Sequence, residues 1–356
     1  MPVPQKTVLL GMSGGVDSSL AAALLHQQGW RVLGLTLRLL PCPDEGSGES
    51  CCGLGAEASA SATAALLGIE HRVVDCRAEF LELVLRPAWE EYRSGRTPNP
   101  CLWCNSRIRF PKLAEMADRF GCHYIATGHY ARLVESDGAR LLRGRDAGKD
   151  QSYFLFAVGR EILARAVFPL GDMTKSETRR RARAMNLPAA ERPESQDACL
   201  SLPGVPFAEL LRRRFAATAQ PGELVDLNGR VLGKHPGLHL YTIGQRRGLG
   251  LARGKPLYVV ALDGKNNRLV VGEAGDLLRN ELLADRACWL GEPAPGRYQV
   301  QIRYRHRPVE AWLEPLGREA FRLRFESPQR AITPGQAAVI YRGDELIGGG
   351  WISASY

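Results

Sequence analysis

Leu9-Leu10-Gly11-Met12-Ser13-Gly14-Gly15-Val16-Asp17-Ser18-Ser19 is the stretch that decides the fold of this 356-residue chain. To its left, residues 6–10 form a short apolar run suited to a buried parallel strand, and to its right residues 20–28 read as a helix. The turn between them is built for an anion. Gly14 and Gly15 let the backbone approach a ligand closely, and Ser13, Ser18 and Ser19 add hydroxyl donors. N–H groups at the start of the helix point to the same spot, where the helix dipole favours negative charge. Asp17 is out of place beside a phosphate unless a cation joins the two, which calls for Mg2+ between carboxylate and phosphate oxygens. The pattern lacks the Gly-Lys-Ser/Thr ending of a Walker loop and is not Gly-x-Gly-x-x-Gly.

The loop resembles the Ser-Gly-Gly-x-Asp-Ser loop of the ATP pyrophosphatase superfamily, whose members cleave ATP between the α and β phosphates and adenylate a substrate. Outward from it, strands are expected at 31–37, 71–75 and 123–127, with helices at 57–67, 78–92 and 106–120. That βαβ series makes a parallel sheet covered on both faces, and ligands of such sheets bind outside the carboxyl ends of the strands. Residues 11–19, Leu37 and Thr127-Gly128-His129 all fall there.

With 45% hydrophobic and 24% charged residues the composition is that of a soluble protein, long enough for two or three domains. No apolar stretch reaches the roughly 18 residues of a membrane span, and the N-terminus lacks a signal pattern, so a cytoplasmic protein with no membrane role is expected. The net charge is +9, gathered in arginine clusters at 179–181, 212–214 and 246–247 and at Arg303, Arg305 and Arg307, which points to a polyanion partner. Nine cysteines in such a chain are not a disulfide framework. Cys76, Cys122 and Cys288 sit in apolar surroundings and read as small core residues. Cys42, Cys51 and Cys52 share a polar loop without a second ligand pair nearby, which argues against a metal site there.

Cys101 and Cys104 are different. Pro98, Asn99 and Pro100 enforce a loop, Ser106 is placed to cap the helix that follows, and Cys104 just before it is placed for a lowered thiol pKa. Cys199, in the polar stretch Pro193-Glu194-Ser195-Gln196-Asp197-Ala198-Cys199-Leu200, reads as a second reactive thiol. Lys149-Asp150-Gln151-Ser152-Tyr153-Phe154 mixes charge, amide and aromatics, as a grip on phosphate, sugar and base would. Beyond Pro206 a helix at 207–216 leads to strands at 222–226, 240–243, 257–262 and 267–272. From Leu282 onward short strands, among them 298–305, suggest a small barrel, with Arg303, Arg305 and Arg307 alternating along one strand face suited to RNA.

Over nearly its whole length the chain resembles the bacterial tRNA-specific 2-thiouridylases, the MnmA family, which replace the C2 oxygen of the wobble uridine (position 34) with sulfur. The resemblance rests on residues 11–19, 95–100, 126–131, 149–153, 168–171, 195–199, 241–249 and 334–336. It implies a parallel-sheet α/β domain of the adenine-nucleotide alpha-hydrolase-like (Rossmann-like) class over 1–202, a central tRNA-binding domain over 203–275 and a C-terminal β-barrel over 276–356. It also implies roles. Gly11, Met12, Ser13, Gly14, Gly15, Val16, Asp17 and Ser18 would hold the phosphates of ATP with Mg2+, while Leu37 and Gly128 would contact the nucleoside. Cys199 would carry a persulfide and Cys104 would be its partner thiol. Asn99, Pro100 and Cys101 would face the target base. His129, Lys149, Asp150, Gln151, Tyr304, Arg305 and Gln336 would touch the tRNA, by resemblance one for Lys, Glu or Gln, and a cysteine desulfurase or sulfur relay would supply sulfur. Cys101 replaces an aspartate common in the family, so Cys101, Cys104 and Cys199 could instead ligate a 4Fe-4S cluster that carries the sulfur. A small-molecule adenylating ligase would need neither these cysteines nor a basic barrel, and an RNA-binding protein without catalysis would not need the intact loop.

Overall fold

The computed structural model describes residues 5–40, 52–135, 139–192, 204–251 and 255–356. Cys42, Cys51 and Cys199 lie outside them. The chain divides into two compact units, Met1–Val84 with Cys101–Cys199 and Asp344–Leu346, and Leu85–Pro100 with Leu200–Gly343 and Ile347–Tyr356.

In the first unit, strand β1 (Thr7–Gly11) leads into helix α1 (Val16–Gln27), followed by β2 (Arg31–Arg38), α2 (Cys52–Leu67) and β3 (Glu70–Asp75). Helix α3 (Phe110–Arg119), β4 (Tyr124–Thr127), β5 (Ala166–Val167) and α4 (Lys175–Ala184) complete its frame. The strands form one parallel sheet in the order β3-β2-β1-β4-β5. Val8, Leu9 and Leu10 have no exposed surface, as a strand covered on both faces requires. The fifth strand is only two residues long, too short to leave a periodic signal in sequence. A hairpin (Ala131–Glu135 and Ala139–Arg143) follows β4.

The helix expected at 78–92 is interrupted: Arg77–Phe80 and Arg86–Arg93 are α-helical, and Leu81–Leu85 between them is a π-helical turn. Cys76 and Cys122 are buried and Cys288 is half-buried, and burial raises all three thiols, Cys76 to about 11, so they suit packing rather than chemistry.

In the second unit, Tyr258–Asp263, Arg268–Gly272, Gly222–Val225 and Val231–His235 pair in that order as a four-stranded sheet. The strand expected at 240–243 is absent: Leu238–Leu240 is a 3-10 turn, and Gly244 at φ +89° continues the bend. Six later strands, Leu278–Trp289, Gly296–Gln301, Val309–Pro315, Phe321–Arg330, Ala337–Arg342 and Glu345–Ser355, pair first, fourth, third, second, fifth, sixth, and the sixth also pairs with the first, closing a barrel. Leu282, Val300, Leu313, Phe321, Leu323 and Ile340 fill it. One expectation fails there. The strand ends at Gln301 and Arg305 adopts φ +65°, so Arg303, Arg305 and Arg307 lie in the connection before the strand at Val309 and do not alternate along a strand face.

Candidate nucleotide and sulfur-transfer site

β1 sits where the sheet order changes direction, β2 on one side and β4 on the other, which is where such sheets bind ligands. Two hydrogen bonds fix the chain as it leaves β1: Met12 N donates to Leu35 O (2.8 Å), and Thr36 Oγ1 donates to Met12 O (2.8 Å). Gly14 then takes φ +71°, and a Cβ there would lie 1.9 Å from Ala56 O. Gly15 is different. Its φ of −86° suits any residue, and a Cβ would meet only Ser13 Oγ at 3.7 Å. The protein's own packing does not need glycine at 15, so the open space fits an approaching phosphate.

Helix α1 starts at Val16, earlier than the sequence reading placed it, so Asp17 and Ser18 belong to its first turn. Ser18 Oγ accepts from Ser13 N (3.2 Å) and donates to Gly15 O (3.1 Å), tying the loop to the helix. Ser19, expected to face the anion, is fully buried and bonded to Thr63 Oγ1 (3.1 Å), because its place in the first turn points it toward α2. From the end of β4, Gly128 closes against the same turn: a Cβ would lie 2.8 Å from Asp17 C and Ser18 N. Leu37, at the end of β2, is half-buried.

The sequence reading placed Mg2+ beside Asp17; the structure places an ammonium, that of Lys175, against the same carboxylate. Its Nζ lies 2.7 Å from both carboxylate oxygens, and Tyr130 Oη donates to Asp17 Oδ1 (2.8 Å). The Lys175 side chain is 10% exposed and that of Asp17 32%, which leaves the carboxylate room for Mg2+. Lys175 opens α4, whose Thr174–Glu177 capping box sets the helix start, and Lys175 N donates to Asp146 Oδ2 (2.9 Å). Sequence reasoning missed Lys175; the Thr-Lys-Ser-Glu capping signature was the available signal.

The two cysteines lie deeper in helix than expected. Pro100–Trp103 is α-helical and runs into a π-helical segment, Cys104–Arg109, and then α3. Ser106 is no cap: its hydroxyl donates to Leu102 O four residues back (2.8 Å). Cys101 and Cys104, three residues apart, fall on neighbouring positions of one helix face, Cys104 buried and Cys101 half-buried. Beside them Trp103 Nε1 is buried without a hydrogen-bond partner. π-Helical segments recur at functional sites, where they re-aim side chains.

Asn105 Nδ2 donates to Phe154 O (3.3 Å), tying this helix to the 149–154 segment. There Asp150 is buried and accepts from Gly144 N (2.9 Å) and from the Ser152 hydroxyl (2.9 Å), and Gln151 Oε1 accepts from Tyr130 N (3.0 Å), while Lys149 is half-buried. His129 is buried between Phe110 and Phe168 with Nδ1 2.7 Å from Thr127 Oγ1, and burial lowers its pKa to about 3, so the ring is neutral. These groups all belong to the first unit.

Asn99, Pro100, Tyr304, Arg305 and Gln336 belong to the second. Within it Gln336 Nε2 donates to Thr97 O (2.9 Å), Thr97 N donates to Pro334 O (2.9 Å), and Arg96 is paired with Glu91, so the start of the 96–100 loop is anchored. The Arg305 guanidinium lies 5.6 Å from the Tyr304 ring centroid.

Three family models match the chain: a tRNA methyl transferase HUP domain over residues 6–202, a tRNA methyl transferase PRC-barrel domain over 210–273 and an aminomethyltransferase beta-barrel domain over 279–352. The tRNA-specific 2-thiouridylase MnmA of Carboxydothermus hydrogenoformans is 45% identical, covering 98% of each chain. That of Syntrophotalea carbinolica is 44% identical over 99% of this chain and 100% of its own. That of Chloroflexus aurantiacus is 46% identical over 97% and 98%. With identity of this degree from end to end, the chain belongs to the MnmA family of tRNA-specific 2-thiouridylases.

Proposed function

We propose that this protein thiolates C2 of the wobble uridine of tRNA, using ATP to activate the C2 oxygen and a persulfide on Cys199 to deliver sulfur. The observation that carries the reading is the presence in one compact unit of an anion loop at the sheet's switch point and a helix bearing Cys101 and Cys104, in a chain alike from end to end to 2-thiouridylases. Residues 11–18 hold the phosphates, with Leu37 and Gly128 against the nucleoside. Asp17 would hold Mg2+, which when bound would supply neutralisation of the phosphate charge. Adenylation turns a poor leaving oxygen into AMP. The terminal persulfide sulfur then attacks C2 and AMP departs with the former C2 oxygen. Cys104 thiolate attacks Cys199 Sγ, closing a Cys104–Cys199 disulfide and leaving sulfur on C2; a thiol reductant reopens the bridge. Asn99, Pro100 and Cys101 face the flipped base; Lys149 and Gln151 in the first unit and Tyr304, Arg305 and Gln336 in the second contribute tRNA contacts, while His129 and Asp150, which are buried, support the first unit's contacts from beneath instead of touching the RNA. The tRNAs are those for Lys, Glu and Gln, and a cysteine desulfurase or sulfur relay loads Cys199.

A second reading is favoured by Cys101, which makes Cys-x-x-Cys on one helix face. Cys101, Cys104 and Cys199 would then hold a 4Fe-4S cluster that carries the sulfur. Cys104→Ser separates the steps. In the persulfide route it releases pyrophosphate from ATP in the presence of tRNA at the wild-type rate, and completes no 2-thiouridine with aerobic, iron-free enzyme and persulfide. Wild-type protein that is inactive with persulfide but active after anaerobic purification, with broad absorbance near about 400 nm, would favour the cluster.

A further inference from the structure

The phosphate loop of this chain contains no lysine, whereas the Walker loop carries one that reaches the β and γ phosphates. Lys175 supplies an ammonium from a segment 158 residues away, at 2.7 Å from both oxygens of Asp17. We propose that Lys175 is the cation that binds the β,γ-phosphates of ATP and receives the departing pyrophosphate. This inference rests on the nucleotide reading above.

A structural counter-ion explains the pair less well. Asp17 is one-third exposed, lies in the first turn of α1 where the helix dipole favours a carboxylate, and already accepts from Tyr130, so it does not need a buried ammonium. Burying an ammonium is costly, yet the fold holds this one firmly: by the capping box that starts α4, by Asp146 on its backbone N–H, and by the Tyr130 ring, whose centroid lies 5.7 Å from Nζ. Arg192, the other cation bonded to the loop among the described residues, is engaged by the carbonyls of Gly14 (3.1 Å) and Gly55 (2.9 Å).

The pair also settles an electrostatic conflict. A bare carboxylate would repel a triphosphate; compensated by Lys175 it does not. As the phosphates enter, Lys175 exchanges a carboxylate oxygen for a phosphate oxygen. In adenylation the uridine C2 oxygen bonds to the α phosphorus and the bond from that phosphorus to the α–β bridging oxygen breaks. The electron pair leaves on pyrophosphate, and the N3 proton passes to solvent. Lys175 lies where that new negative charge collects.

Calorimetric titration of the full-length protein with magnesium pyrophosphate and, separately, with AMP tests this. Lys175→Met should weaken pyrophosphate binding by at least about tenfold, as loss of a charged hydrogen bond does, leave AMP within about twofold, and be largely rescued by Lys175→Arg. Unchanged pyrophosphate affinity in Lys175→Met would overturn the proposal. So would equal loss of both ligands, the mark of a lysine that only props up Asp17. A wild-type protein that binds neither ligand would overturn the nucleotide reading itself.

Discussion

Gly14 and Gly15 are neighbours with opposite reasons for being glycine, and the contrast separates fold from function. At Gly14 a methyl group would meet Ala56 O at 1.9 Å on a left-handed backbone, so the fold requires glycine. At Gly15 a methyl would enter open space. Gly14→Ala should therefore lose at least about 2 kcal/mol of stability in denaturant unfolding. Gly15→Ala should unfold within about 0.5 kcal/mol of wild type but bind ATP at least tenfold more weakly by calorimetry, roughly the loss of one close backbone contact. Equal ATP affinity in Gly15→Ala would remove the ligand from that side of the loop. Composition and order alone are enough to read the loop as an anion site, because glycines, hydroxyls and the strand–turn–helix context are local. Two features were not local. Ser19 faces Thr63 because α1 starts at Val16, and Asp17 meets Lys175 across 158 residues, a distance no periodicity spans.

At the scale of elements, the turn after β4 carries a pH-sensitive seam. His129 is held neutral between Phe110 and Phe168 with its pKa near 3, while in the unfolded chain it takes a proton near 6.5. Below about pH 6.5 the unfolded state thus binds more protons, and stability present at neutral pH is lost as pH falls toward 3, at about 1.4 kcal/mol per pH unit. Between pH 6.5 and 4.5 wild type should lose about 2–3 kcal/mol more than His129→Gln in denaturant titrations; parallel losses would show that the ring is protonated in the folded protein. The parallel sheet was legible from its apolar runs. The cysteine helix was only half legible. Pro98 and Pro100 read as loop, yet Pro100 begins a helix, where its missing N–H costs nothing, so the helix starts six residues earlier than Ser106 suggested. The alternation through residues 298–305 likewise continued past the true strand end at Gln301, because a left-handed Arg305 leaves no mark in a polarity pattern.

For the whole molecule, the barrel and the parallel-sheet domain were both readable from the change of texture near residue 206, since helix-alternating and short-strand patterns differ over long windows. What the chain does with them was readable only in part. The loop reads as one for adenylation, Cys101 and Cys104 on one helix face read as a pair for sulfur chemistry, and the +9 charge suits a polyanion. Joining the three into tRNA thiolation rests on kinship with 2-thiouridylases along the full chain. Mass spectrometry of nucleosides from tRNA incubated with this protein, ATP, Mg2+ and a persulfide donor tests that union directly. 2-Thiouridine should appear at position 34 with one AMP formed per sulfur inserted; AMP accumulating without any 2-thiouridine would contradict tRNA thiolation by this protein.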